Sequence, residues 1–280
     1  MHSDPILQFN LFGTEIKVTL YGVFLAIALI AVLLVYKYYT DYKKINQKVQ
    51  DFGFISAIIG IAGGFFFAKL FQAFYDFINN GYFDFANAGI TAMGGFIGGT
   101  ICYVIFYFTF GHFYFSTGKE KNIHVKEVNK IVLVAPCCIA IGHAFGRLGC
   151  LMAGCCHGAE VGAGQGGILM NGHYYIPIQL YESLFLFALF AVLSLLYFKR
   201  LNLTHIVYLV SYAIWRFIVE FFREDYRGGD MLGMTPSQFQ SVVFVIGAII
   251  IAIVLFVVWK KPVRLPPDKD PLAEDEPKQV

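Results

Sequence analysis

Five ionisable side chains stand in stretches otherwise almost free of charge: Lys69, Arg147, Glu182, Arg216 and Glu220. An ionised group at membrane depth costs roughly 3 kcal/mol on insertion scales, so such residues face a wet cavity, a ligand or one another. Arg147 is set among glycines, in the run Gly142-His143-Ala144-Phe145-Gly146-Arg147-Leu148-Gly149-Cys150. Glycines clear side chains from around the guanidinium. That leaves room for a planar, bidentate ligand such as phosphate, although an arginine reaching for lipid headgroups would need nothing more. Arg216, Glu220 and Arg223 are spaced i, i+4 and i+7, which puts them on one face of a continuous helix. They form either an internal ion pair or a positive pocket whose guanidinium Glu220 orients. Pro177-Ile178-Gln179-Leu180-Tyr181-Glu182 opens another stretch, with proline suited to a first helical turn and Glu182 about one turn in. Gln179 there is a hydrogen-bond donor for a headgroup or a peptide backbone.

Cysteine is the other reactive residue type. Cys150, Cys155 and Cys156 follow Arg147 closely, with His143 and His157 nearby. The spacing fits no common zinc finger, and a continuous helix would scatter the side chains. Small apolar packing is the expectation for them, with a disulfide or redox role as the alternative on an oxidising face. No metal and no cofactor are expected.

The elements that must hold these residues follow from composition. Of 280 residues, 58% are hydrophobic and 14% charged, against about 25% charged in soluble globular chains. A water-soluble chain this apolar would expose large patches and aggregate, so lipid is its solvent. The net charge of +2 excludes a strongly basic nucleic-acid binder. Charge-poor runs of about 20 residues, the length that crosses a bilayer core as a helix, occur at about 18–38, 53–75, 88–114, 131–153, 178–198, 204–222 and 238–259. The expected fold is therefore all-α, a polytopic membrane protein with seven transmembrane helices over residues 1–260. Residues 261–280, rich in Pro, Asp, Glu and Lys, read as a disordered cytoplasmic tail. Basic residues alternate between connections. Lys43, Lys44 and Lys48 follow the first run, and Lys119, Lys121, Lys126 and Lys130 follow the third. Lys199 and Arg200 follow the fifth, while the connections after the second and fourth runs carry none. The positive-inside rule then puts the C-terminus in the cytoplasm and the N-terminus outside. The Gly-rich stretch 159–175 reads as a mobile lid or a plain connector. Glycines four apart, as in Gly60/Gly64, Gly94/Gly98 and Gly95/Gly99, let helix backbones approach closely in lipid.

Taken in order, these motifs resemble the bacterial prolipoprotein diacylglyceryl transferases. The run Gly142–Gly158 resembles that family's signature, centred on Gly-Arg-x-Gly. Tyr21-Gly22 matches its first-span Tyr-Gly, and Gly94-Gly95-Phe96-Ile97-Gly98-Gly99 its Gly-Gly-Leu-Ile-Gly-Gly. The segment from Pro177 to Glu182 matches Pro-Thr-Gln-Leu-Tyr-Glu, and that from Arg216 to Arg223 matches Arg-Phe-x-x-Glu-Phe-x-Arg. The segment Gly233–Gln238 resembles Gly-Leu-Ser-x-x-Gln. The resemblance covers about residues 17–260. It implies transfer of the diacylglyceryl group of phosphatidylglycerol to the lipobox cysteine thiol in a prolipoprotein signal peptide, with glycerol phosphate leaving. It also implies a place in the bacterial cytoplasmic membrane, among membrane lipids, with the active site toward the outer face and no nucleic-acid partner. Together with the charges buried in apolar runs and the histidine beside the signature, it leads to Arg147, Arg216, His143 and Glu220 as the expected catalytic residues. Tyr21, Lys69, Gly94, Gly95, Cys150, Gly158, Gln179, Glu182 and Arg223 are then substrate-binding.

This chain departs from the family at three places. Met93 stands where the family often has a histidine implicated in the chemistry, and methionine cannot move a proton. Cys150 and Cys155 stand where many members have Asn and Glu. The proton then goes to another base, such as His143 or His157, or to the phosphate. A changed acceptor, a loss of activity, or a membrane thiol-redox protein built on the cysteines are the alternatives.

Overall fold

The computed structural model describes residues 6–11, 14–89, 91–170, 172–223 and 233–266. Its helices are α1 (Leu20–Tyr42), α2 (Gln47–Asn80), α3 (Ala92–Tyr114), α4 (Ile123–Ala153), α5 (Ile178–Phe198), α6 (Thr204–Val219) and α7 (Pro236–Ala252). Short 3₁₀ turns follow α6 and precede α4, and a π-helical turn, Ile253–Val258, extends α7. Among the described residues seven helical segments are long and apolar enough to cross a membrane. Their outward faces are unlike those of a water-soluble protein: Leu34 on α1, for one, is 66% exposed.

Helix limits depart furthest from the charge-poor runs at two starts. α2 starts six residues early and α4 eight, each taking in charged residues such as Lys48, Asp51, Lys126 and Glu127. A hydropathy run marks the bilayer core; the helix goes on through the interface as long as its backbone is capped. Asn46 caps α2 by accepting from the Lys48 amide at 2.9 Å, and Gly81 closes it in a left-handed conformation. At α7, Thr235 and Gln238 form a reciprocal capping box with Pro236 as the first helical residue.

Strands qualify the all-α expectation. β1 (Leu7–Leu11) pairs antiparallel with β2 (Thr14–Val18), and β3 (Ile168–Met170) with β4 (His173–Tyr175). The period-2 alternation of Leu7-Gln8-Phe9-Asn10-Leu11 is the signal for the first pair. The second pair orders part of the Gly-rich stretch that reads as a lid or a connector. The tail beyond residue 266 lies outside the described residues, as do the first five.

The chain divides into two compact units. One combines residues 1–39 with 132–267 and so holds most of α1 and of α4, and α5 to α7. Its core is Tyr39, Leu133, Val134, Cys137, Leu186, Leu193, Tyr197, Tyr208, Tyr212 and Phe244 with their neighbours. Polar side chains tie its helices together. Tyr39 donates to Ser194 Oγ at 2.7 Å, Tyr197 to the Tyr39 carbonyl at 2.8 Å, and Ser183 to the Ala144 carbonyl at 2.9 Å. Such bonds average about 0.6 kcal/mol in a membrane protein. α1 closes on the glycine face of α4: a Cβ at Gly142 would lie 2.8 Å from a Val32 methyl, and one at Gly149 3.2 Å from the Tyr21 ring.

The other unit spans residues 40–131, centred on the pairing of α2 with α3. There the glycines mesh: a Cβ at Gly64 would stand 3.0 Å from the Gly95 carbonyl, and one at Gly99 2.9 Å from the Gly60 carbonyl. Its aromatic core gathers Phe52, Tyr107 and Phe115, with Tyr107 donating to the His124 carbonyl at 2.9 Å.

Candidate functional site

The first unit brings its chemistry-bearing residues to one end of its helices. These are the last turns of α4 and α6, the first turns of α1, α5 and α7, and the loop after α4. Glu182, fully buried in the second turn of α5, is the hub. Its Oε2 lies 2.9 Å from Arg147 Nε of α4, and its Oε1 accepts from Tyr212 of α6 at 3.0 Å. His143, one turn before Arg147, has its Nε2 3.7 Å from Oε1 and its ring edge-on to Tyr212. The Arg147–Glu182 contact is a charge pair not aligned as a hydrogen bond. Among the described residues no acceptor bonds the two terminal nitrogens of Arg147. Next to it in sequence, Gly146 is open: a Cβ there would meet nothing within 4 Å. Glycine spacing therefore does two things on α4. Gly142 and Gly149 admit α1, and at Gly146 the helix surface is unfilled.

One turn beyond Tyr212 on α6, Arg216 begins a second cluster. It is buried, donates from Nη2 to Ser237 Oγ at 2.8 Å, and has Glu220 Oε2 at 3.6 Å. Thr235 donates to Glu220 Oε1 at 2.9 Å while accepting from the Gln238 amide. The start of α7 thus fixes Glu220, and Glu220 faces Arg216. Spacing alone did point to the Arg216–Glu220 pair. It did not foresee Ser237 and Thr235, and the Thr-Pro-Ser-Gln capping signature is the signal that could have.

The helix-face expectation for Arg223 does not hold. α6 ends at Val219, Glu220–Phe222 tighten into a 3₁₀ turn, and Arg223 is extended with φ −118°. Its guanidinium instead donates to the Cys156 carbonyl at 3.1 Å. Gln179, also fully buried, donates to the Cys155 carbonyl at 2.6 Å, and its Oε1 is buried without a partner among the described residues. These two side chains clasp the loop after α4. That loop turns sharply because Gly154 and Cys156 both take left-handed φ values, 66° and 60°. Gly158 then threads a tight crossing: its amide donates to the Ile176 carbonyl, and a Cβ would sit 2.8 Å from the Phe222 carbonyl. His157 stacks on Tyr175 with centroids 3.7 Å apart.

The same turn corrects the expectation that the cysteines scatter. The helix stops at Ala153, the chain doubles back, and the sulfurs of Cys150, Cys155 and Cys156 all lie within 4.8 Å of one another. None of the three is in a disulfide.

Tyr21, 43% exposed, rests beside Gly149 at the start of α1. Lys69, Gly94 and Gly95 belong to the other unit. Lys69 donates to the Ala86 carbonyl at 2.8 Å and lies 5.4 Å from the centre of the Phe85 ring, holding the α2–α3 connection. In that connection, hydrogen bonds from Asn87 hold the Asp84 carboxyl below the usual range. A Cβ at Gly94 would collide with Phe71 at 2.7 Å and one at Gly95 would touch Ala68 at 3.4 Å, so both glycines have packing duties on α2. The backbone at Met93 is helical; its side chain lies outside the described residues.

Comparison with known proteins adds a second line. The profile of the prolipoprotein diacylglyceryl transferase family matches residues 8–254. A phosphatidylglycerol–prolipoprotein diacylglyceryl transferase of Clostridium tetani is 31% identical over 256 residues, 86% of this chain and 94% of its own. One of Dehalococcoides mccartyi is 31% identical over 284 residues, 95% and 97% of the two chains. A third, from Clostridium perfringens, is 30% identical over 255 residues, 86% and 92%.

Proposed function

The chain belongs to the prolipoprotein diacylglyceryl transferase family, and we propose how its own residues serve that reaction. It is a membrane transferase that takes the diacylglyceryl group from phosphatidylglycerol and gives it to a prolipoprotein. The acceptor is the thiol of the lipobox cysteine, and the site opens to the outer face, with the N-terminus outside and the C-terminus in the cytoplasm.

The observation that carries the reading is the state of Arg147. Glu182 pairs with Nε at 2.9 Å and holds that end of the guanidinium by charge. The terminal fork makes no hydrogen bond to any described residue. A fork held this way accepts a phosphate bidentately. In the reaction the substrate sulfur forms a bond to the glyceryl carbon next to the phosphate. The carbon–oxygen bond breaks, and its electron pair leaves on the glycerol phosphate oxygen. Arg147 and Arg216 stabilise that growing negative charge. Cations already in place in a low-dielectric site do so without reorganising. Glu220 and Ser237 orient Arg216. The thiol must lose its proton to attack, and His143, held against Tyr212 and facing Glu182, receives it. Both substrates are apolar over most of their length and reach the site from the lipid.

The test is complementation. A bacterium depleted of its own transferase is given this protein, and lipoprotein maturation is followed by mass spectrometry. The expected product is a diacylglyceryl thioether. Arg147→Ala and Arg216→Ala each cut its formation by about 10²–10³, the usual loss for one charge-stabilising donor. Arg147→Lys keeps the charge but not the fork and recovers only part. No thioether from well-inserted protein sinks the proposal. Full activity in His143→Ala removes that residue from the mechanism.

A further inference from the structure

The three thiols have no task in the mechanism above, yet the fold works to gather them. Cys150 lies in the last turn of α4, one turn beyond Arg147. Cys155 and Cys156 return to it only because Gly154 and Cys156 adopt left-handed conformations. A side chain larger than glycine at positive φ is uncommon and marks a held geometry. Here Gln179 and Arg223 do the holding, each through a carbonyl of the loop. The Cys155 thiol turns back to the Cys150 carbonyl at 3.6 Å. Cys155 is exposed and its two partners are half-buried, so the cluster has one open side.

We propose that Cys150, Cys155 and Cys156 form a three-thiolate site for a thiophilic d¹⁰ cation such as Zn²⁺, whose fourth position takes the acceptor thiol. A Zn–S bond of about 2.3 Å puts the sulfurs of a tetrahedral site ~3.8 Å apart. The cluster, already within 4.8 Å, closes to that separation by an ångström at most. Three protein ligands with one open position are the pattern of a working zinc site rather than a structural one. Thiolate ligands select zinc over hard cations.

The inference rests on the reading of the site as one that alkylates a thiol. Coordination deprotonates a thiol outright. The acceptor's S–H bond breaks as its sulfur binds the cation, and the proton passes to His143. The sulfur pair then forms the S–C bond, the C–O bond breaks, and glycerol phosphate leaves with that electron pair. The thioether is a weak ligand and departs, returning the cation to its three cysteines. No oxidation state changes. This supplies the thiolate in a chain that carries Met93 where its relatives often carry a histidine.

The experiment uses the full chain purified in detergent. Co²⁺ is the probe, followed by displacement with Zn²⁺. One equivalent of Co²⁺ should bind with a thiolate-to-metal charge-transfer band that Zn²⁺ abolishes. Cys150→Ser, Cys155→Ser and Cys156→Ser should each weaken binding by at least tenfold, and the triple variant should show no band. Turnover of phosphatidylglycerol with a lipobox peptide should fall on chelation and return with Zn²⁺. In the metal-free enzyme the pH profile should shift to higher pH. A missing band, a band that persists in the triple variant, or recovery of the cysteines as a disulfide from native membranes overturns the site. Full turnover in the chelated enzyme overturns the cation's role and leaves the transferase reading intact. A metal-loaded protein with no turnover overturns the transferase reading, and with it that role.

Discussion

Glu182 is the residue on which the polar geometry of the site depends. Its two oxygens face Arg147, His143 and Tyr212, from two other helices, and it is sealed from solvent. A buried pair is not itself a large source of stability, but a partner left alone in low dielectric is costly. Glu182→Ala and Arg147→Ala should therefore each destabilise the protein by about 3–5 kcal/mol. The double variant should cost much less than their sum, because neither charge is then stranded. Denaturation midpoints in mixed detergent for the four members of the cycle measure this, and strict additivity would mean the two side chains do not interact. Both residues were legible in the sequence as charges in apolar runs. Their partnership was not. Spacing pairs only near neighbours along one helix, which is why Arg216 with Glu220 could be read directly. Glu182 meets Arg147 across helices, and Tyr212 gave no signal apart from an ordinary aromatic in a span.

At the scale of elements, the loop after α4 sets the positions of the chemistry. Three chain segments cross at Gly158: the loop itself, the approach to α5 at Ile176, and the exit from α6 at Phe222, whose carbonyl accepts from the Ala159 amide at 3.0 Å. A methyl at Gly158 would press on Ile178 and on that carbonyl. Gly158→Ala should cost about 1–3 kcal/mol, as overpacking does, and should lower transferase turnover by displacing the carbonyls that Gln179 and Arg223 hold. A thermal scan and a turnover assay would show both effects; an unchanged midpoint would mean the crossing is slack. The helices themselves were readable, because apolar length is a strong signal. The small residues at one-turn spacing, Gly60 with Gly64 and Gly95 with Gly99, were readable too, but not that the two pairs mesh with each other. The helix ends were not. α6 tightens and releases Arg223 where the sequence still looks helical, and α4 stops one residue before a glycine whose left-handed φ turns the chain back on itself. Both depend on partners distant in the sequence.

For the whole molecule the decisive property is which side of the membrane each connection occupies. The helices alternate direction, so one topology puts the Arg147 end of α4, the start of α5 and the end of α6 on the same face. The connections on that face carry no lysine or arginine after the second and fourth spans and only Arg223 and Arg227 after the sixth, while the opposite connections hold Lys43, Lys44, Lys119, Lys121, Lys199 and Arg200. Basic residues resist translocation. The Arg147 end should accordingly face outward, where a secreted signal peptide presents its cysteine after export begins. Reporter fusions decide the matter. Alkaline phosphatase inserted at Gly164 should be active and green fluorescent protein inserted there dark; fused after Val280 the two should reverse. A fluorescent insertion at Gly164 would invert the topology and place Arg147 on the cytoplasmic side. The acceptor would then have to be captured before translocation, and the outward-facing site would fall with the charge argument that predicts it.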